Sequence, residues 1–260
     1  MELVVVKNIN MVDIIVLLLA VAPVVLLMRY VYKKDKYEKE PLGMLAKAFL
    51  FGILAIPLDL MLVGIINSIW EGKMVFYSAF WEAGIPEELC KWLMFMYIIW
   101  RNRNFNEFFD GIVYATFIGL GFACLENVMY VFDSETLFDA LEVGVMRALL
   151  SVPGHFLFGV LMGYYLAMAK FVPDQRRKYL IMSLLVPMLA HGLFDYLLML
   201  SSEITDYVPL IGGGLFLIFI YLDVKLWKIG LRKIEEMQNR SLKQHIAETM
   251  QQIKDIENNN

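Results

Sequence analysis

Residues 12–39 read VDIIVLLLAVAPVVLLMRYVYKKDKYEK, an apolar run that ends in a block of bases. A helix needs roughly 20 mostly apolar residues to cross the hydrocarbon core of a bilayer. The stretch therefore predicts a membrane span near Val12–Tyr32, with Arg29, Lys33, Lys34, Lys36 and Lys39 gathered at its far end. A cleaved signal peptide is the competing reading. It lacks a basic n-region here, the small residues Ala20-Val21-Ala22 run into Pro23, and the apolar run continues into the bases, which fits a retained anchor.

The same criterion places further spans near Leu42–Ile66, Ala79–Trp100, Gly111–Phe132, Val145–Ala169, Tyr179–Leu200 and Val208–Trp227. Bases follow the odd-numbered spans: Arg101 and Arg103 after the third, Lys170, Arg176, Arg177 and Lys178 after the fifth, and Lys225 to Lys254 after the last. The opposite side carries only Lys7 and Lys73. Cytoplasmic loops carry the excess of Lys and Arg, so the alternation predicts an all-α polytopic bundle of about seven spans, N-terminus outside and C-terminus cytoplasmic. Composition agrees: of 260 residues 59% are hydrophobic and 19% charged, with a mean hydropathy of +0.59. That excludes a soluble enzyme and a disordered chain, and a net charge of −4 gives no basic footprint for nucleic acid. Cys90 and Cys124 are too few for a disulfide framework and read as small core residues. The chain divides into a membrane domain, 1–227, and a tail, 228–260, whose Leu231, Ile234, Leu242, Ile246 and Ile253 suggest an amphipathic helix on the membrane or against another helix.

Ionisable groups inside a bilayer cost several kcal/mol unless paired or functional, and four spans contain them. Span 3 has Pro86-Glu87-Glu88-Leu89-Cys90-Lys91, span 4 Glu126-Asn127, span 5 Pro153-Gly154-His155, and span 6 His191 with Asp195. At 1.5 Å per residue, Glu87, Glu126, His155, His191 and Asp195 all fall roughly 8–15 Å below the outer ends of their helices. A shared depth in spans of opposite direction points to one site. Lys91 lies three and four residues after the two acids and can neutralise either. Asp195, four residues after His191, can orient its ring. Pro86, Pro153 and Gly154 loosen the helices there. Asp59 reaches similar depth in span 2 without an assigned role, and Gly159-xxx-Gly163 reads as helix packing.

Two chemistries suit such a site. In the first, Glu87 or Glu88 deprotonates a water held by His155, His191 and Glu126, directly or through a divalent metal such as zinc, for attack on a peptide carbonyl. No H-E-x-x-H motif is present, and no Ser or Cys is paired with a His at nucleophilic spacing. The second is a proton- or cation-coupled transporter using the same Glu/His cluster, although no inverted repeat is visible. A seven-span receptor would not require so many buried acids.

Glu87-Glu88-x-x-Lys91, Asp110-Gly111 with Gly119-Leu120-Gly121-Phe122-Ala123, Glu126-Asn127-x-x-Tyr130, Arg147, His155, Gly163-Tyr164 and His191-x-x-x-Asp195 follow one another in order. Together, over about residues 80–200, they resemble the PrsW family of bacterial intramembrane proteases, distant relatives of the CAAX-protease and bacteriocin-processing superfamily. The resemblance implies a multi-pass protease of the inner (cytoplasmic) cell membrane acting on a membrane-anchored protein, with anti-sigma factors and envelope stress as the associated context. It implies that Glu87 and Glu88 are the essential acidic pair. It also places Glu126 where the wider superfamily commonly has a His, and His155 and His191 at the remaining polar positions. Lys91, Asn127 and Asp195 are the expected supporting residues, and His155, His191 and Glu126 the expected ligands if a metal is used. The outer-half depth places the cut near the extracytoplasmic boundary of the substrate.

Overall fold

The computed structural model describes residues 11–70 and 72–258; the segment before Met11, with Lys7 and the expected external N-terminus, lies outside the described residues. The chain forms α1 (Met11–Lys34), α2 (Leu42–Ile69), a short α3 (Val75–Tyr77), α4 (Ile85–Ile98), α5 (Asp110–Phe132), α6 (Leu137–Met146), α7 (Val152–Phe171), α8 (Arg176–Tyr207) and α9 (Pro209–Asn258). Among the described residues six helical stretches are long and apolar enough to cross a membrane, which makes this a polytopic helical membrane protein. The expected third span differs from these six. It is a helical stretch running from α3 through a π-helical turn, Ser78–Gly84, into α4, interrupted and charged where it holds the acidic pair.

α5 is the central helix, buried continuously from Asp110 to Ala123. Small residues let its neighbours approach to backbone distance. A Cβ on Gly163 of α7 would strike the backbone of Gly111, and one on Gly121 would strike the Phe49 carbonyl of α2. The Gly159-xxx-Gly163 pair therefore packs helices, as expected. The outer helices show the inverse pattern: Leu17, Leu18, Leu26, Leu54, Leu60, Leu217 and Ile218 face outward. Exposed leucines in such number suit contact with lipid.

The basic segments meet at one end of the bundle. Asn106 donates to Glu38 at 3.1 Å, Lys170 Nζ donates to the Trp100 carbonyl at 3.2 Å, Gln238 donates to the Lys34 carbonyl, and Gln244 donates to the Asn106 carbonyl at 2.7 Å. Segments following spans 1, 3, 5 and 7 can share an end only if the chain crosses between them an even number of times. α9 runs unbroken past residue 227. Its lower half packs on the bundle through Gly230, Ile234, Met237 and Ser241, while Leu231, Ile246 and Ile253 of the expected apolar face point outward.

Candidate active site

Two prolines shape the helices that carry the acids and one histidine. A proline has no N–H to donate and its ring clashes with the carbonyl four residues back. Here Pro86 and Pro153 each sit in the first turn of a helix, α4 and α7, directly after a π-helical segment, Ser78–Gly84 and Arg147–Ser151. Widening the turn absorbs the mismatch, and such π segments recur at functional sites. Glu87 and Glu88 follow the first proline, and Gly154-His155 the second. The remaining histidine arrives by close approach: a Cβ on Gly84 would meet the backbone of Gly192 at 2.6 Å, so α8 can bring His191 against the acids.

One cation occupies the centre. Lys91 Nζ donates to Glu87 Oε2 at 3.0 Å, to Glu88 Oε1 at 2.8 Å and to His155 Nδ1 at 3.0 Å. An ammonium has three donors and no acceptor, so all three are used. His155 Nδ1 must accept, and its proton sits on Nε2, which faces Glu126 Oε2 at 2.9 Å. His191 repeats the arrangement, with Nδ1 3.0 Å from Glu88 Oε1 and Nε2 3.2 Å from Asp195 Oδ2. Both imidazoles thus turn Nδ1 to the centre and Nε2 to an outer carboxylate. Phe122 lies under the Lys91 ammonium at 4.1 Å, and Phe158 stacks on the His191 ring at 4.6 Å, walling the cluster with apolar surface.

Glu87, Glu88, His155 and His191 each offer a ligand atom within 4.8 Å of the others. Two carboxylates and two imidazoles are donors suited to a divalent transition ion. Two further observations fit one. Glu88 Oε2 is buried without a hydrogen-bond partner, and ligating histidines characteristically hold their second nitrogen against a carboxylate. A metal would take over lone pairs that Lys91 satisfies here.

The expected site residues occupy distinct positions. Glu87, Glu88, His155 and His191 converge. Glu126, expected among the metal ligands, stands behind His155 and pairs with Arg147 Nη2 at 2.8 Å, outside the group of four. Asn127 touches none of them; it accepts from Arg147 Nε at 2.8 Å and donates to the Ala20 carbonyl. Arg147 had no role assigned from sequence, although it stands in the motif series. Its partner, Asn127, lies twenty residues earlier on another helix, and no spacing rule joins them. Glu87 and Glu88, adjacent in sequence, differ in access. The Glu87 side chain is 9% exposed and lines two cavities, whereas Glu88 is 1% exposed and lines neither.

Comparison with known proteins gives a consistent result. Residues 40–224 match the model of the PrsW family intramembrane metalloprotease. Protease PrsW of Clostridioides difficile (strain 630) is 37% identical over 231 residues, covering 87% of this chain and 92% of that protein. Protease PrsW of Geobacillus kaustophilus (strain HTA426) is 38% identical over 218 residues, covering 83% and 89%. Protease PrsW of Bacillus subtilis (strain 168) is 35% identical over 226 residues, covering 86% and 96%. No solved structure matches the chain significantly.

Proposed function

The chain belongs to the PrsW family of intramembrane metalloproteases, and from that premise we propose that it hydrolyses a membrane-anchored protein, such as an anti-sigma factor, near its extracytoplasmic boundary with Glu87 as general base. The single observation carrying the choice of base is access. Glu87 borders both cavities that reach the cluster, and a base must touch the water it deprotonates. Glu87 takes a proton from water, the water oxygen bonds to the scissile carbonyl carbon, and the same proton passes to the leaving amide nitrogen as the C–N bond breaks. Glu88, sealed against Lys91 and His191, holds the centre in register. Glu126 and Asp195 fix the two imidazoles, and Arg147 balances Glu126.

Glu88, His155 and His191 would hold the metal, zinc being the ion their chemistry suits best, with Glu87 beside them as the base. A bound divalent ion acidifies water and polarises a carbonyl.

The test is cleavage of a membrane-anchored single-span protein in proteoliposomes. Glu87→Gln is expected to lower turnover by about 10²–10⁴-fold with the melting temperature retained, and mass spectrometry should map the cut to the extracytoplasmic boundary. Cuts confined to the cytoplasmic flank would overturn the site assignment. Full activity in the variant, with ion flux across the same liposomes, would return the cluster to a transporter.

A further inference from the structure

A cavity of about 700 Å³ lies between α2, the π-helical turn and α5, with Glu87 in its wall. Five carboxylates line it (Asp59, Glu82, Glu87, Glu126 and Asp133), the other lining side chains are mainly apolar, and no Lys, Arg or His is among them. Glu87 and Glu126 have cations in the catalytic cluster, Lys91 and Arg147. Glu82 only accepts an amide hydrogen bond from Asn67, at 2.9 Å. Asp59 is the exceptional member: it is 7% exposed, and its Oδ1 is buried with no hydrogen-bond partner. Asp59 lies ten residues, or about 15 Å, from the outer end of α2, and Asp133 caps the outer end of α5. The acids thus step from the rim towards Glu87.

Held with a buried, unpartnered Oδ1, an ionised Asp59 would cost several kcal/mol at this depth unless a base came to meet it. The mechanism does not use Asp59. Apolar walls with surplus negative charge complement an apolar segment bearing a base. We propose that this groove receives the membrane segment of the substrate, and that Asp59 is a specificity-determining residue pairing with a lysine or arginine on the extracytoplasmic side of the scissile bond. The inference rests on the protease reading and adds the substrate class. The long aliphatic stem of either base lies along apolar wall while its charged head meets the acid.

Binding and cleavage separate the two claims. The binding probe is a fluorescent single-span peptide with Lys, Gln or Glu at the extracytoplasmic flank, added to Glu87→Gln enzyme in phosphatidylcholine nanodiscs. The Lys peptide should bind about tenfold tighter than the Gln peptide, and the Glu peptide weakest. Adding Asp59→Asn should erase the Lys preference, and Asp59→Lys should invert it. Asn is nearly isosteric, so it decides the matter if the lysine variant fails to fold. In enzyme with Glu87 intact, Asp59→Asn should raise KM for the Lys peptide at unchanged kcat and leave the Gln peptide unaffected. Equal binding of the three peptides, or a Lys preference that survives Asp59→Asn, overturns the inference and leaves the protease reading standing. A Lys preference with no cleavage of any peptide by wild-type enzyme counts instead against the protease reading.

Discussion

Acids are buried at both ends of this bundle, and their charge is balanced differently. In the buried Glu/His cluster every carboxylate meets a fixed cation or an imidazole: Glu87 and Glu88 meet Lys91, Glu126 meets Arg147 and His155, and Asp195 meets His191. At the basic end Asp35, Glu40, Glu107 and Asp110 are just as buried but meet mainly neutral donors. Asp35 accepts from the Glu40 N–H at 3.1 Å. Asp110 accepts from the N–H groups of Asn106 and Glu107 at 2.9 and 2.7 Å, and Tyr114 donates to Glu40. The nearby Lys39 Nζ spends its hydrogen bonds on the Tyr32 and Asp35 carbonyls. Burial, then mutual repulsion, pushes Asp35 up to about 6, Glu40 to about 7 and Glu107 to about 8. Deep in lipid, neutrality comes from paired side chains. Near water it can come from protons instead, and that makes the second cluster responsive to pH. The second cluster also seats α9, since Ser241 Oγ accepts from the Phe109 N–H at 2.9 Å and the His245 ring stacks on Tyr37.

The largest effect separating the two regions should come from Lys91→Met. Removing one partner of a buried pair costs about 3–5 kcal/mol, read as a large fall in melting temperature in detergent. Added zinc should restore more of that melting temperature in the variant than it adds to wild type, because the metal inherits the freed lone pairs. A variant indifferent to zinc would sink the assignment of Glu88, His155 and His191 as ligands.

Next in size is the pH response of the basic end. Asp35, Glu40 and Glu107 bind protons more tightly folded than the ordinary value of about 4. Their contribution to the docking of α9 is therefore complete below pH 4 and declines as pH rises towards 8. Hydrogen exchange across residues 234–244 should accelerate between pH 5 and 9 beyond the intrinsic base-catalysed trend. Glu107→Gln should flatten that excess while leaving cleavage unchanged. A profile identical in wild type and variant would dissolve the contrast between the clusters.

The smallest effect should come from Ser241→Ala, which deprives the buried Phe109 N–H of its acceptor. The cost is about 1 kcal/mol, visible as faster exchange at Phe109 and in the docked part of α9 only. Global destabilisation would show that α9 is integral to the core rather than seated on it.

Much of this was legible in order and spacing. Apolar run length marked the spans, and the alternating bases anticipated which segments share an end. The three- and four-residue spacings of Glu87, Glu88 and Lys91 anticipated their pairing, as did that of His191 and Asp195. Less was legible about Glu126 and Lys91. The spacing showed Lys91 neutralising an acid but not standing at the centre of the cluster with His155, sixty-four residues away. Depth alone put Glu126 level with the two histidines, yet it stands behind His155, paired with Arg147.

By itself the sequence determined a polytopic helical protein, the sidedness of its charge and the common depth of its polar groups, because those properties follow from local run length and helical rise. Tertiary structure alone decided which of two adjacent acids faces a cavity, which carboxylates stand behind the histidines, and that Asp59 looks into the groove. Those outcomes depend on the rotation and closeness of neighbouring helices, set by contacts such as Gly84 on Gly192 and Gly163 on Gly111. Close-packed interiors translate one missing Cβ into the placement of a whole helix.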